Sequence, residues 1–144
     1  MSDLKTFGKI MEGVHYTERP GAYGFLRDSR DRLAVIQTTF GYFLPGGGLE
    51  PGEDSVTGLK REILEEISYE ILSAHLVTQA AQYHWSEFYQ KHFRKVGSFF
   101  VVEYRAPARP VFENEHTLHW LDTGAVARKL SQEFQRWALA EYLK

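Results

Sequence analysis

The sequence predicts an α/β or α+β sandwich, in which helices cover a mixed β-sheet. Two observations support this fold class. Short apolar segments bounded by turn residues alternate with helical patterns, and the order along the chain is strands, a central helix, more strands and a terminal helix. The length of 144 residues is that of one domain, so we expect a single domain over residues 1–144.

The first half of the chain predicts short strands that lead into a glycine-rich loop. Residues 6–10 suit an edge strand, and residues 22–27 and 33–38 suit a hairpin, because Asp28-Ser29-Arg30-Asp31 between them is rich in turn formers. Residues 42–44 form a further short strand before Pro45-Gly46-Gly47-Gly48. Glycines there allow close backbone approach and left-handed conformations.

The central helix follows this loop. Glu53-Asp54-Ser55 supplies an N-cap and favourable charge for the helix dipole. An apolar stripe at spacings of three and four predicts that one side packs on a core; it consists of Val56, Leu59, Ile63 and Ile67. Gly58 inside the helix indicates either close packing or a tolerated defect.

The second half predicts long strands and two closing helices. Residues 71–83 and 95–104 suit long strands, and residues 117–121 suit a shorter one. Asp122 or Thr123 is expected to cap a short helix over residues 125–130, and Ser131 to cap the final helix.

Composition limits the classes of function. The net charge of −2 provides no broad attraction for nucleic-acid polymers, which disfavours them as partners. The absence of cysteine excludes disulfides, zinc–thiolate sites and thiol nucleophiles. No secretory leader is recognisable, and no apolar run approaches the roughly 18 residues of a membrane span. We therefore expect a cytoplasmic, soluble protein.

The central helix carries an electrostatic conflict. Glu62, Glu65 and Glu66 fall at positions i, i+3 and i+4, so their carboxylates share one side of the helix, where like charges oppose one another. Arg61 or Lys60 can neutralise part of this charge but leaves at least one carboxylate over. A divalent cation would resolve the conflict, and hard oxygen ligands favour Mg²⁺ or Mn²⁺.

The same segment resembles the Nudix box, a glycine, five residues, a glutamate, seven residues, then R-E-U-x-E-E-x-G-U with U aliphatic. The matching positions are Gly47, Glu53, Arg61, Glu62, Ile63, Glu65 and Glu66. Two positions depart from the pattern, because Ser68 replaces the glycine and Tyr69 replaces an aliphatic residue. If position 68 needs a positive φ, serine there costs on the order of 1 kcal/mol relative to glycine.

The resemblance implies the Nudix fold and hydrolysis of the diphosphate bond in a nucleoside diphosphate linked to another group. It implies that Glu62, Glu65 and Glu66 bind Mg²⁺ or Mn²⁺. Gly46 and Gly47 either offer a backbone carbonyl to the metal, with Gly46 as the candidate ligand, or only turn the chain. The expected catalytic group comprises Glu65, Glu66, Glu115 and Arg61, the last mainly in a structural role. The general base stays open between Glu115, Glu113 and a box glutamate.

Substrate recognition depends on residues outside the box. Phe43, Tyr83 and Trp85 are candidates to stack a base, and Arg27 and Lys95 are candidates to hold phosphates. For most of the aromatic residues, core packing or a homodimer contact is the more common explanation. Modified nucleoside triphosphates and nucleotide sugars such as ADP-ribose are the substrate candidates.

A non-catalytic nucleotide-sensing module of the same fold is the alternative function. The retention of Arg61, Glu62, Glu65 and Glu66 argues against it. Nucleotide cleavage with and without Mg²⁺ would distinguish the two.

Overall fold

The computed structural model describes residues 4–109 and 116–144, and the strands form two sheets. The strands are β1 (Lys5–Phe7), β2 (Thr17–Phe25), β3 (Leu33–Thr38), β4 (Gly41–Phe43), β5 (Gly46–Gly48), β6 (Glu70–Ser86), β7 (Lys91–Arg105) and β8 (Thr117–Leu121). The helices are α1 (Ser55–Ile67), α2 (Thr123–Lys129) and α3 (Glu133–Tyr142). Among the described residues, no helix is long and apolar enough to cross a membrane. The architecture confirms the predicted fold class.

The larger sheet is mixed and has the order β1-β6-β7-β2-β5. β6 and β7 form a long antiparallel hairpin, whereas β2 runs parallel to β7 and antiparallel to β5. β1 lies at the sheet edge, as predicted, and pairs in parallel with β6. The smaller sheet has the order β4-β3-β8 and is antiparallel. Two parts of this arrangement matter for the site: the edge strand β5, which carries the glycines, and the turn end of the β6–β7 hairpin.

Strands β2, β3 and β7 are buried on both faces. Successive residues of a strand point to opposite sides, so each of these strands contributes side chains to two cores. One face packs against α2 and α3, in a core that contains Tyr23, Phe25, Leu33, Val35, Phe99, Leu130, Phe134 and Leu139. The other packs against α1, in a core that contains Ala22, Leu26, Ala34, Ile36, Leu59, Ile63, Ile67 and Phe100. The sheets are therefore held between α1 on one side and α2 with α3 on the other.

Helix α1 begins and ends as its sequence predicts. The Asp54 carboxylate accepts a hydrogen bond from the Thr57 N–H at 2.8 Å, which caps the N-terminus. At the other end Ser68 adopts the left-handed conformation, with φ 63°. Gly58 is a close-packing position, because a Cβ there would lie 2.8 Å from Glu53 Oε1 and would collide with the Leu49 side chain.

The prediction that residues 22–27 and 33–38 pair with each other along their length as a hairpin is wrong. The Ala34 N–H does donate to the Leu26 carbonyl at 3.0 Å, so the chain reverses there. Beyond that point β2 continues in the larger sheet and β3 in the smaller one. Turn residues fix the reversal locally, but the pairing of each strand depends on distant strands.

Ser131 does not cap the final helix. The residue at the N-cap of α3 is Gln132, which makes no side-chain capping bond. The Ser131 hydroxyl instead accepts a hydrogen bond from the Tyr42 N–H at 2.9 Å. A contact between distant segments therefore replaces the predicted local cap.

Candidate active site

The glycine strand β5 lies directly above the acidic side of α1. It pairs with β2, with Gly46 opposite Tyr23 and Gly48 opposite Gly21. Gly46 has φ 136°, and a Cβ at this position would collide with the Ala22 carbonyl. Only glycine suits this close approach.

Arg61 binds several acceptors at once and joins the loop to the helix. Its Nε and Nη2 donate to the two oxygens of Glu53, each at 2.8 Å, and Nη2 also donates to the Gly48 carbonyl at 3.2 Å. Its Nη1 donates to Glu62 at 3.1 Å and to Glu65 at 3.2 Å. The planar guanidinium makes such a multidentate arrangement possible, whereas a lysine could not reproduce it.

The protonation states of Glu53 and Arg61 follow from the hydrogen bonds between them. The hydrogen bonds from Arg61 lower the pKa of Glu53 to about 2. Conversely, the hydrogen bonds to Glu53 raise the pKa of Arg61. Both groups are therefore charged at neutral pH, and Glu53 serves to hold Arg61 in place.

Two of the three helix carboxylates face the glycine strand. Glu66 Oε1 accepts a hydrogen bond from the Gly46 N–H at 3.2 Å. The Glu62 carboxylate lies so close to Gly47 that a Cβ there would be 2.7 Å from Glu62 Oε2. The side chains of Glu62 and Glu66 are 25% and 13% exposed, whereas that of Glu65 is 56% exposed. The acidic side of α1 is thus partly enclosed at Glu62 and Glu66.

Enclosure affects the charge on Glu62. Burial raises the pKa of this carboxyl, and the hydrogen bond from Arg61 opposes that rise. Removing a carboxylate from water disfavours its charged form unless a positive group compensates. A bound cation would provide such compensation.

The loop that carries the predicted general base ends beside Glu66. Glu113 and Glu115 lie outside the described residues, so their predicted roles stay predictions. His116, the next residue along the chain, has its Nδ1 3.5 Å from Glu66 Oε2. The structure thus places this histidine at the site.

An inner cleft of about 220 Å³ opens next to Glu66 and the glycine strand. Its wall includes Arg19, Phe43, His84 and Lys95 in addition to Glu66. An outer cleft of about 590 Å³ shares Phe43, His84 and Lys95 and continues to the hairpin end. Aromatic side chains line that outer part, namely Phe40, Phe43, Trp85 and Phe88. The predicted substrate residues Phe43, Trp85 and Lys95 are thus brought together along one path.

The other two predicted substrate residues do not line these clefts. The Arg27 guanidinium donates to the Tyr142 hydroxyl at 2.6 Å and forms an ion pair with Asp31 at 3.1 Å. The Tyr83 ring packs edge-on against Tyr16, with ring centroids 4.8 Å apart. Both side chains therefore have structural contacts elsewhere.

Arg19 is the residue of the cleft that sequence reasoning missed. Its guanidinium lies over the rings of Tyr89 and Phe93, at 4.7 and 5.3 Å from their centroids, and against Gly48. In the sequence it stands in Arg19-Pro20-Gly21, which reads as a turn. Only the pairing of β2 with β7 and β5 brings it to the site.

The carboxylates of α1 are the type of ligand that a hard divalent cation prefers, but in the structure they do not converge on one point. Among residues 4–109 and 116–144, no three His, Asp or Glu side chains converge closely enough to hold a metal ion. In this arrangement Arg61 binds Glu53, Glu62 and Glu65, while Gly46 and His116 contact Glu66. The available donors are carboxylate and carbonyl oxygens, which suit Mg²⁺ or Mn²⁺.

Comparison with known proteins agrees with this geometry. The family model of the NUDIX domain matches residues 17–142. A search of curated proteins by sequence finds no match. Solved structures, in contrast, are similar over most of the chain.

Three such structures illustrate the likeness in fold. A MutT protein from Methanosarcina mazei Go1 has a TM-score of 0.71 at 16% identity, over 90% of this chain and 96% of its own. The dihydroneopterin triphosphate pyrophosphohydrolase of E. coli has a TM-score of 0.68 at 20% identity, over 88% and 96%. An Ap4A hydrolase from C. elegans has a TM-score of 0.66 at 15% identity, over 88% and 95%.

Proposed function

Since this chain belongs to the NUDIX family and is a pyrophosphohydrolase acting on phosphorus-containing acid anhydrides, we propose that it cleaves the diphosphate bond of a nucleoside diphosphate linked to another group. The proposed cofactor is Mg²⁺ or Mn²⁺. One observation carries the proposal. Glu66 and the glycine strand form one wall of a cleft that also contains Arg19 and Lys95 and opens into an aromatic cleft. An acidic group and two basic groups thus line one cleft, next to a surface suited to a base.

The acidic side of the cleft would hold the cation. We propose that Glu62, Glu65 and Glu66 are its ligands, with the Gly46 carbonyl as a further one. When bound, a divalent cation neutralises phosphate oxygens and lowers the pKa of an attacking water.

The chain itself performs the remaining tasks. Arg61, fixed by its two hydrogen bonds to Glu53, holds the loop carbonyl of Gly48 near the helix. Gly46, through its N–H, orients Glu66. A carboxylate, Glu66 or Glu115, takes a proton from the attacking water, while water oxygen forms a bond to phosphorus and the bridging P–O bond breaks.

The aromatic cleft would receive the nucleoside. Phe43 lines both clefts, and Trp85 and Phe88 line the outer one, so a base can stack there while its phosphates extend toward Glu66. The fold relatives named for dihydroneopterin triphosphate and Ap4A are consistent with substrates of this class. Modified nucleoside triphosphates and nucleotide sugars such as ADP-ribose are the candidates we propose.

A screen of nucleoside diphosphate derivatives tests this function. The protein is incubated with each compound and with Mg²⁺, Mn²⁺ or EDTA, and products are identified by mass spectrometry. Hydrolysis in ¹⁸O-labelled water shows which phosphorus is attacked. Cleavage only with a divalent cation is the expected result, and inactivity across the whole panel would favour the nucleotide sensor instead.

Glu66→Gln supplies the residue-level test. We expect the turnover number to fall by roughly 100-fold or more while the protein stays folded, because the amide neither binds a cation well nor accepts the proton. Glu70→Gln is the matched control, since Glu70 is exposed and pairs with Arg105 outside the cleft. Near-normal turnover of Glu66→Gln at saturating Mg²⁺ would remove Glu66 from the mechanism.

A cytoplasmic location and a homodimer stay predictions. Trp85, Phe88 and Tyr89 are 43%, 72% and 51% exposed at the end of the β6–β7 hairpin, which suits either a stacking surface or a dimer contact. Cell fractionation and light scattering would test the two predictions.

A further inference from the structure

Two cations lie side by side in the inner cleft, on neighbouring strands of the larger sheet. The parallel register of β2 and β7 places Arg19 opposite Lys95, and both residues line the cleft next to Glu66. Like charges directly opposite one another on neighbouring strands are destabilising. Folding alone therefore does not explain why both positions carry a positive charge.

Neither cation is neutralised by a carboxylate within the described ranges. Arg19 contacts the rings of Tyr89 and Phe93 and donates to the Tyr89 hydroxyl at 3.5 Å. Lys95 donates to the amide oxygen of Gln132 at 3.2 Å. Neither residue is in an ion pair with any carboxylate of residues 4–109 and 116–144. The contacts orient both groups without an ion pair, and the charge of Arg19 acts on Glu62 only at longer range.

The surroundings keep the two side chains in place. The Arg19 guanidinium is close enough to Gly48 that a Cβ there would lie 2.8 Å from Nε. Lys95 Nζ lies 5.6 Å from the centroid of the Phe134 ring, and Phe134 is fully buried. Both side chains are thus packed against other parts of the fold, an arrangement that favours binding through preorganisation.

We propose that Arg19 and Lys95 form a two-cation clamp that binds the diphosphate of the substrate. An anion between them would relieve their mutual repulsion and receive charge-assisted hydrogen bonds from both sides. The proposal rests on the function proposed above and adds the residues that recognise the diphosphate itself, independently of the base. Glu62, Glu65 and Glu66 remain the residues proposed to hold the cation.

Binding of methylenediphosphonate, a diphosphate analogue that cannot be hydrolysed and has no base, tests the clamp. Isothermal titration calorimetry is performed in EDTA and again in Mg²⁺ with the wild-type protein, Arg19→Gln, Lys95→Gln and the double variant. We expect each single substitution to weaken binding by about 10-fold or more, and the double variant to lose measurable binding. Arg19→Lys, which keeps the charge, should recover part of the affinity.

Matched controls separate the clamp from general charge effects. Lys91→Gln changes an exposed lysine on the same strand, and Arg30→Gln changes an exposed arginine in the turn after β2. Both should bind methylenediphosphonate like the wild type. Thermal unfolding of every variant verifies that the binding losses are measured on folded protein.

The outcomes distinguish the clamp from the hydrolase function. Absence of binding to the wild type, or equal binding to the wild type and the double variant, overturns the clamp. Loss of binding in the double variant supports it even where the nucleotide panel shows no turnover. Where a hydrolysed nucleotide is found, an unchanged KM for that nucleotide in Arg19→Gln and Lys95→Gln also overturns the clamp. The hydrolase function is not affected by that result.

Discussion

Lys95→Met should alter how the stability of the protein depends on pH. Burial, with a smaller contribution from Arg19, lowers the pKa of Lys95 from 10.5 to about 8. The folded state thus binds the lysine proton less well than the unfolded state does. Below pH 8 the lysine is protonated in both states, so the penalty for burying its charge is fully present; it disappears as pH rises from about 8 to 10.5.

The magnitude follows from the size of this shift. A difference of about 2.5 pKa units corresponds to a penalty of about 3 kcal/mol at pH 7, and less than about 1 kcal/mol of it remains at pH 10. Lys95→Met has no such penalty at either pH. The free energy of unfolding of the wild type, relative to that of the variant, should therefore rise by about 2.5 kcal/mol between pH 7 and pH 10.

A second contribution partly offsets the gain at neutral pH. The variant loses the hydrogen bond to Gln132 and the contact with the Phe134 ring, which costs about 1 to 2 kcal/mol. We expect the variant to be more stable than the wild type by about 1 to 2 kcal/mol at pH 7. The other ionisable residues that line the inner cleft with Lys95 are unchanged in the variant, namely Arg19, Tyr23, Glu66, His84 and Tyr89.

Urea unfolding at pH 7 and pH 10 measures the effect. Lys91→Met, at an exposed position of the same strand, is the control and should change the free energy of unfolding by less than about 0.5 kcal/mol at both pH values. A difference between the wild type and Lys95→Met that stays constant from pH 7 to pH 10 would refute the reasoning. It would mean that the ammonium is solvated in the cleft.

Three further predictions concern the box. Glu66→Gln should lower turnover by roughly 100-fold or more without unfolding the protein, as measured by steady-state kinetics and circular dichroism. Gly47→Ala should reduce activity with little change in melting temperature, because its Cβ would lie 2.7 Å from Glu62 Oε2 and would displace that flexible carboxylate; a fully active variant would contradict this. Ser68→Gly should stabilise the protein by about 0.4 to 1 kcal/mol, because serine is strained at φ 63°, and a lower melting temperature would count against it.

The acidic box could be identified from the sequence because its spacing is local. On a helix, residues three and four apart share a side, so Glu62 and Glu66 were predictable neighbours before any tertiary contact was known. The N-cap at Asp54 depends on residues within one turn and was likewise correct. Ser68 has a positive φ, the conformation in which serine was expected to cost free energy relative to glycine.

Other features depend on distant contacts and were predicted wrongly or not at all. Residues 22–27 and 33–38 looked like one hairpin because the turn between them is local, yet the strands join different sheets. Ser131 had the chemistry of a helix cap, but Tyr42 supplies its partner. Arg27 was a candidate to hold phosphates, which stays untested, and the structure places its guanidinium against Tyr142.

The sequence by itself therefore determined the chemistry of the acidic helix, since carboxylate spacing and helix caps are set within a few residues along the chain. Only the tertiary structure decided what faces that helix. The parallel pairing of β2 with β7 places Arg19 beside Lys95, and the pairing of β5 with β2 places Gly46 over Glu66. The physical reason is that strand register is fixed by burial of both sheet faces, and that burial involves the whole chain.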